Sequence, residues 1–146
     1  MRNFTRTFIA AWYLLGWLSH VYLAIFNPQI YDVFGTTALI PGYQSFWHQF
    51  IMPHISIFAF LLAGFEILVG ISLINKGHWV KIGLIFSILF NLFLVQMGLG
   101  METQGFWSDF LINRLPNLVF IALQIPLFWG SNPNTILKTL RSKFKN

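Results

Sequence analysis

The chain contains no cysteine and very little charge. Its 146 residues include nine Lys or Arg and four Asp or Glu, so 9% are charged, whereas a soluble domain carries about 25%. The absence of cysteine excludes disulfides, thiolate metal sites and a cysteine nucleophile. The low charge, with a mean hydropathy of +0.66, excludes an ordinary water-soluble globule. The sequence therefore indicates an integral membrane protein, in which a redox role would need a bound cofactor or a diffusible carrier.

The positive net charge does not indicate nucleic-acid binding. The formal net charge is +5, but the basic residues stand in short clusters beside apolar runs. A nucleic-acid interface would instead present a basic face interleaved with exposed aromatic residues. Basic clusters beside apolar runs are typical of a membrane chain, in which they set the orientation. Nucleic acid is therefore not an expected partner, whereas the lipid bilayer is.

Four apolar runs are each long enough to cross a hydrocarbon layer of about 30 Å as a helix. None shows the period-two alternation of a membrane barrel. We therefore predict an all-α fold, a single four-transmembrane-helix bundle with antiparallel neighbours. The predicted segments are spans at 8–26, 51–74, 80–99 and 111–129, an outer loop at 27–50 and a basic tail at 130–146.

The basic residues predict the orientation of the bundle. Arg114 stands alone in the connections of one side, and the other eight Lys and Arg residues fall on the opposite side. Those eight are Arg2, Arg6, Lys76, Lys81, Lys138, Arg141, Lys143 and Lys145. By the positive-inside rule, both termini and the short turn at 75–79 are expected in the cytoplasm.

Two segments outside the spans carry apolar residues. The loop at 27–50 is long and apolar, so we expect it to pack over the outer mouth of the bundle; the alternative is a plain extramembrane connector. In the tail, apolar and basic residues alternate at helical spacing between positions 136 and 145. Such a segment is expected to lie on anionic lipid, and the alternative is an unstructured basic tail that only fixes topology.

Glu66 is the most informative residue, because a carboxyl within a span costs several kcal/mol unless it is protonated or paired. It lies about eight residues, or roughly 12 Å, from the cytoplasmic end of its helix. We therefore expect it to face the bundle interior, where Tyr13, Ser87 and Gln124 lie at a similar depth. Glu66 is a candidate proton-exchanging or headgroup-binding acid. The alternative is a polar link between helices.

Two histidines are predicted at comparable depth on neighbouring spans. Tyr13, Trp17 and His20 share one stripe of the first span, and His54 lies near the start of the second. Two histidines in this arrangement could ligate a haem iron from opposite faces. The spacing is not specific, however, and such residues more often hydrogen-bond to a loop or to water. Trp17 is also a candidate for lining a planar ligand.

A second polar group is predicted near the outer end of the fourth span. Asp109, Asn113, Arg114 and Asn117 lie there, at about the level of Gln96. Arg114 departs from the charge rule, so it needs a partner: Asp109 or Glu102 in a structural salt bridge, or an anion or polar headgroup. No metal site is predicted. The candidate ligand-binding residues are Tyr13, Trp17, His20, His54, Ser87, Asn91, Arg114, Asn117 and Gln124.

A set of spaced residues in the second and third spans resembles the central signature of the DoxX-like family of small four-helix membrane proteins. In that family an acidic residue precedes a glycine in the second span, a tight glycine turn follows, and a basic residue opens the third span. The residues here are Glu66, Gly70, Leu73, Gly77, Lys81 and Gly83. The resemblance covers the whole four-span layout.

Residues of the first span extend the resemblance, and other positions depart from it. Arg6 resembles the leading arginine of the family, and Gly16 with His20 takes the place of its glycine and following basic residue. The chain departs from the family pattern in its long loop at 27–50, and in having His20 where a lysine is commoner.

The resemblance implies a bacterial inner-membrane protein associated with redox systems, since family members resemble a subunit of a thiosulfate:quinone oxidoreductase. The implied function is to bind a quinone-like or other small apolar molecule in the bundle. Glu66 would exchange a proton, and Tyr13, His20 or His54 would position a carbonyl oxygen. Electrons would come from a protein partner that carries the redox centre.

Two other functions remain open at the level of sequence. One is a non-enzymatic membrane scaffold or assembly factor, in which polar groups only fix helix packing. The other is a small-solute or lipid transporter. Transport is less favoured, because the chain shows no inverted repeat and four helices enclose little volume unless it forms a homo-oligomer. The sequence does not decide whether the protein is an enzyme.

Overall fold

The computed structural model describes residues 2–143, and within that range the regular elements are helices without strands. Four helices are long and apolar enough to cross a membrane, which confirms the prediction of an all-α fold with four apolar helices. They are α1 (Arg2–Phe26), α2 (Tyr43–Ile74), α3 (His78–Met97) and α4 (Phe106–Leu127). A short helix, α5 (Ile136–Lys143), follows. The expected lipid-facing pattern of the tail involves Leu140, Lys143, Phe144 and Lys145, whose side chains lie outside the described part.

Each of the four helices begins before the apolar run that marks its predicted span, whereas α3 and α4 end two residues before the predicted ends. α2 begins at Tyr43, eight residues before the run at 51–74, because residues 43–52 contain neither proline nor glycine. Pro41 and Gly42 end the preceding connection, and Gly42 has a φ of 81°, which only glycine adopts at little cost. The connection between α1 and α2 is therefore 27–42, shorter than the expected 27–50. It contains a 3-10 turn and one turn of α-helix.

One turn in each of α2 and α4 has π-helical hydrogen bonding. These turns are Trp47–Ile51 in α2 and Phe110–Arg114 in α4. A π turn changes the direction of the side chains that precede it relative to a regular α-helix, and such turns are frequent at functional sites. Trp47, Asn113 and Arg114 are buried at these turns.

The buried residues form two clusters at opposite ends of the bundle. The loop-end cluster joins Tyr31 of the loop 27–42 to residues of the helices. It comprises Ala24, Tyr31, Trp47, Ile51, Ile55, Ala59 and Met97. The tail-end cluster comprises Ile9, Ala10, Tyr13, Val69, Leu73, Val80, Leu84, Leu127 and Ile136. Between apolar helices in lipid, association rests on close van der Waals packing, which small residues permit. At Gly70, a Cβ atom would lie 2.6 Å from Leu14 Cγ, so α1 and α2 pack closely there.

Two buried arginines bind the C-terminal carbonyl groups of helices, which have no partner within their own helix. At the tail end, Arg6 donates from Nε to Leu73 O at 2.7 Å and from Nη2 to Ile74 O at 3.1 Å. Its Nη2 also donates to the carbonyl of Asn75, and its Nη1 donates to Asn134 O at 3.2 Å. Arg6 thereby joins α1 to the end of α2 and to the segment after α4.

Arg114 makes the corresponding contacts at the loop end. It donates from Nη1 to Val95 O at 2.8 Å and to Gln96 O at 3.0 Å, at the end of α3. Its Nε forms a salt bridge with Asp109 Oδ2 at 3.0 Å, and its Nη2 donates to the carbonyl of Thr37 in the loop. We refer to Arg6 and Arg114, with these partners, as the two arginine clamps.

Candidate functional site

A cavity of about 230 Å³ lies between α1, α2, α3 and the loop 27–42. Its wall is aromatic and aliphatic, except where His20, Tyr31 and Glu66 meet it. This is the composition of a ligand site, which is mostly apolar with a few convergent polar groups. The lining residues are Trp12, His20, Tyr31, Phe34, Trp47, Leu62, Glu66, Phe90, Phe93, Leu94, Met97 and Leu99.

The polar groups of the cavity form a connected row. His20 Nε2 lies 3.5 Å from Glu66 Oε1, and His20 Nδ1 lies 2.6 Å from the Tyr31 hydroxyl. The rings of His20 and Tyr31 are stacked with their centroids 5.9 Å apart. The Trp47 indole donates to the Tyr31 carbonyl at 3.0 Å, which fixes the position of Tyr31. The helices α1 and α2 and the loop 27–42 thus each contribute one side chain to a row of an imidazole, a carboxyl and a phenol. We refer to it as the Glu66–His20–Tyr31 row.

Glu66 faces the bundle interior as expected, with 4% of its surface exposed. Its Oε2 atom is buried and has no hydrogen-bond partner within the part of the chain that the structure describes. A buried carboxyl oxygen without a partner is costly, and such atoms mark sites where a proton or a ligand binds. At Gly16 a Cβ atom would lie 2.9 Å from this oxygen, so glycine leaves the space that the carboxyl occupies.

Tyr31 is held neutral by its surroundings. Burial, together with the nearby Glu66 carboxylate, raises the pKa of Tyr31 to about 12. The phenol therefore keeps its proton at neutral pH and can donate it in the hydrogen bond to His20 Nδ1. With Nδ1 accepting, a neutral His20 carries its proton on Nε2, the nitrogen that faces Glu66. This arrangement directs the Nε2 proton of His20 towards the Glu66 carboxyl.

Three of the predicted ligand-binding residues bind one another instead of lining the cavity. The Tyr13 hydroxyl and Ser87 Oγ lie 2.8 Å apart, and Asn91 Nδ2 donates to the Tyr13 hydroxyl at 3.0 Å. Asn91 Nδ2 also donates to the Ser87 carbonyl at 2.8 Å. All three residues are buried. Their hydrogen bonds link α1 to α3 across the bundle.

Three other predicted ligand-binding residues also lie outside the cavity wall. Trp17 is half-buried, and His54 is exposed and packs edge-on against Phe50 with centroids 6.3 Å apart. His54 therefore does not join His20, whose two ring nitrogens already face Tyr31 and Glu66. Arg114 is engaged in its clamp, and its salt bridge is to Asp109, one of the two acids considered from the sequence.

Asn117 and Gln124 are buried in α4 but do not line the cavity. Gln124 Nε2 donates to Phe120 O at 3.2 Å. Gln124 Oε1 and Asn117 Nδ2 have no hydrogen-bond partner among residues 2–143. In the same range, no group of three His, Asp or Glu side chains converges as metal ligands.

Sequence reasoning did not identify the aromatic residues that line the cavity, namely Trp12, Tyr31, Phe34, Trp47, Phe90 and Phe93. The expectation that an apolar loop packs over the mouth of the bundle pointed to this region, and Tyr31 lies in that loop. Trp47 reaches the cavity from the π turn of α2, which the sequence did not predict. Comparison of the chain with protein-family models, with curated proteins and with solved structures found no match.

Proposed function

We propose that this multi-pass membrane protein binds a quinone-like molecule in the cavity beside Glu66. One observation carries the proposal: a buried carboxyl oxygen without a partner among residues 2–143 belongs to the wall of an aromatic cavity and has an imidazole beside it. The aromatic wall accommodates a planar ring. The Glu66 carboxyl at the polar end contacts an oxygen on that ring. As a carboxylate it accepts a hydrogen bond from a ring hydroxyl, and when protonated it donates one to a ring carbonyl.

The Glu66–His20–Tyr31 row suits proton exchange with such a ring. Reduction of a quinone to its hydroquinone takes two electrons and two protons, and the reverse reaction releases them. Glu66 exchanges one of these protons with the ring oxygen that faces it, and His20 directs its Nε2 proton towards the Glu66 carboxyl, 3.5 Å away. The electrons come from a protein partner that carries a redox centre. On this proposal the chain is a redox-associated subunit, and Tyr31 is a positioning residue for His20.

The proposed family is the DoxX-like one, and the proposed location is the bacterial inner membrane. Three of the residues that carry the resemblance make contacts that support this proposal. Arg6 and Gly70 lie where α1 contacts α2, and Glu66 lies in the cavity wall. The distribution of basic residues supports cytoplasmic termini and antiparallel neighbours.

The experiment is a ligand-binding measurement on the purified protein in lipid nanodiscs. Addition of a benzoquinone is expected to quench tryptophan fluorescence, because Trp12 and Trp47 line the cavity. Glu66→Gln should weaken binding about tenfold, equivalent to about 1.4 kcal/mol. Glu102→Gln, the same change at an exposed position outside the cavity wall, is the control. The proposal fails if the unaltered protein binds no quinone, or if Glu66→Gln binds as tightly as Glu102→Gln.

A scaffold function is the second candidate, because the Tyr13, Ser87 and Asn91 hydrogen bonds show that buried polar groups here also serve helix packing. For a scaffold, Glu66→Gln should leave the parent system active, whereas Gly70→Leu should disrupt it by separating α1 from α2. The opposite ranking of the two variants would contradict this candidate.

A further inference from the structure

The cavity is closed at the loop end of the bundle. Tyr31 and Trp47, which cover it there, are 5% and 8% exposed. The loop packs closely against Trp47, because a Cβ atom at Gly35 would lie 2.5 Å from Trp47 Cδ1. Hydrogen bonds also hold the loop to α3, since Leu39 N donates to Gln96 O at 3.0 Å. A ligand that came from the aqueous side at this end would have to displace the loop.

The cavity is open on the side of the bundle instead. Two of its lining residues are exposed, Trp12 at 59% and Phe93 at 41%. Both lie within helices that are apolar enough to cross a membrane, Trp12 in α1 and Phe93 in α3. The described residues of α4 do not line the cavity, although the Phe120 ring of α4 packs against Trp12 with centroids 5.7 Å apart. In a membrane, an exposed side face of such helices meets lipid chains.

We infer that the cavity is entered from the bilayer where its wall is exposed, at Trp12 and Phe93, and that its ligand carries a hydrocarbon tail that stays in this opening. The inference rests on the proposed function and narrows its ligand class to membrane-dissolved ring compounds. The ring lies at the buried polar end, against Glu66. The tail lies at the exposed apolar end, where it continues into the lipid phase without crossing a polar surface.

Because the sequence contains no cysteine, a single introduced cysteine at the opening can be labelled specifically. Trp12→Cys is placed in nanodiscs and labelled with a lipid-soluble maleimide, in the presence of a benzoquinone with or without a ten-carbon tail. Leu15→Cys is the matched control, because Leu15 is exposed on the same helix and does not line the cavity. Phe93→Cys with the exposed Leu92→Cys is a second pair, in case Trp12→Cys does not fold.

The tailed quinone, at about ten times its dissociation constant, should slow labelling of Trp12→Cys about tenfold. The tailless quinone at equal occupancy should leave the rate unchanged, and Leu15→Cys should react at one rate throughout. The inference is overturned if both quinones protect equally or neither protects, while binding still depends on Glu66. Absence of Glu66-dependent binding of either compound would instead overturn the proposed function, and the inference with it.

Discussion

At the scale of single residues, the position of the buried carboxyl depends on Gly16. A Cβ atom at this position would contact both oxygens of Glu66, at 2.9 and 3.2 Å. The carboxyl is the end of a flexible side chain, so it can move away at little cost in stability. Movement would nevertheless change its distance from His20 and its presentation to the cavity. Gly16 therefore controls ligand binding more than folding.

Gly16→Ala is expected to weaken quinone binding about tenfold while its thermal unfolding midpoint changes by only a few degrees. Gly64→Ala is the matched control on α2, since a Cβ atom there would meet nothing within 4 Å. That control should stabilise the helix by about 0.5–1 kcal/mol and bind normally. Binding is measured by fluorescence in nanodiscs, and equal binding by the two variants would contradict the prediction.

Tyr31 gives a prediction for alkaline pH. Its pKa is raised from 10.0 to about 12 in the folded protein, so above pH 10 the unfolded chain loses this proton before the folded one does. The stability that neutral Tyr31 contributes is complete below pH 10 and is lost as the pH rises through 12. The difference in phenolate absorbance between the protein and Tyr31→Phe should titrate near pH 12. A difference that titrates near pH 10 would show that Tyr31 is exposed.

The sequence identified Glu66 and His20 for physical reasons, because a carboxyl and an imidazole within apolar runs must be turned inward. It did not identify Tyr31, because a tyrosine in a loop is unremarkable until the loop is packed against the bundle. Tyr13 was predicted as a ligand contact and is instead satisfied by Ser87 and Asn91. From sequence, a buried hydroxyl in a cavity cannot be distinguished from one that links two helices.

At the scale of secondary-structure elements, α1 and α2 form the closest contact. Gly70 is essential to this contact, because a Cβ atom there would lie 2.6 Å from Leu14 Cγ and 3.4 Å from the Ala10 carbonyl. Gly70→Leu should destabilise the bundle by about 1–3 kcal/mol, since the added side chain would overlap Leu14 and extend towards the Ala10 backbone beside it. Gly64→Leu is the control, and thermal unfolding in detergent is the measurement. Equal midpoints for the two variants would contradict close packing at Gly70.

The Arg114 clamp gives a second prediction for the helices. Arg114→Leu removes the donor to the Val95 carbonyl at a cost of about 1–3 kcal/mol, whereas the Gln96 carbonyl keeps its hydrogen bond from Leu39 N. The midpoint of thermal unfolding should therefore fall by several degrees. Lys76→Leu also removes one cation, but from an exposed position, and should change the midpoint little. A similar fall in both variants would attribute the effect to charge alone.

The four helices followed from the apolar runs, but their boundaries did not. The sequence placed the start of the second span at 51, whereas α2 begins at Tyr43. Apolar runs indicate which residues lipid can surround, and a helix can continue past them wherever its backbone hydrogen bonds are satisfied. The π turns at Trp47–Ile51 and Phe110–Arg114 also escaped prediction. They depend on tertiary contacts, because a π turn has no strong local sequence pattern.

At the scale of the whole molecule, the proposed topology predicts which positions face each side of the membrane. Lys138→Cys and Glu102→Cys introduce single thiols at exposed positions after α4 and between α3 and α4. In intact cells an impermeant maleimide should label Glu102→Cys, and should label Lys138→Cys only after the membrane is permeabilised. The reverse pattern would invert the proposed orientation. Labelling of both positions in intact cells would place them on one side and refute four crossings.

The arginine clamps also bear on how the protein is made. Arg6 binds carbonyls at Leu73 and Ile74, 67 and 68 residues further along the chain, which the ribosome produces much later. Until they arrive, the charge near the start of α1 has no protein acceptors and must remain at the lipid headgroups. The first helix therefore reaches its final depth only once the second has been inserted beside it. In a nascent chain arrested before residue 73 we therefore expect Arg6 to stay at the headgroups, without these two acceptors.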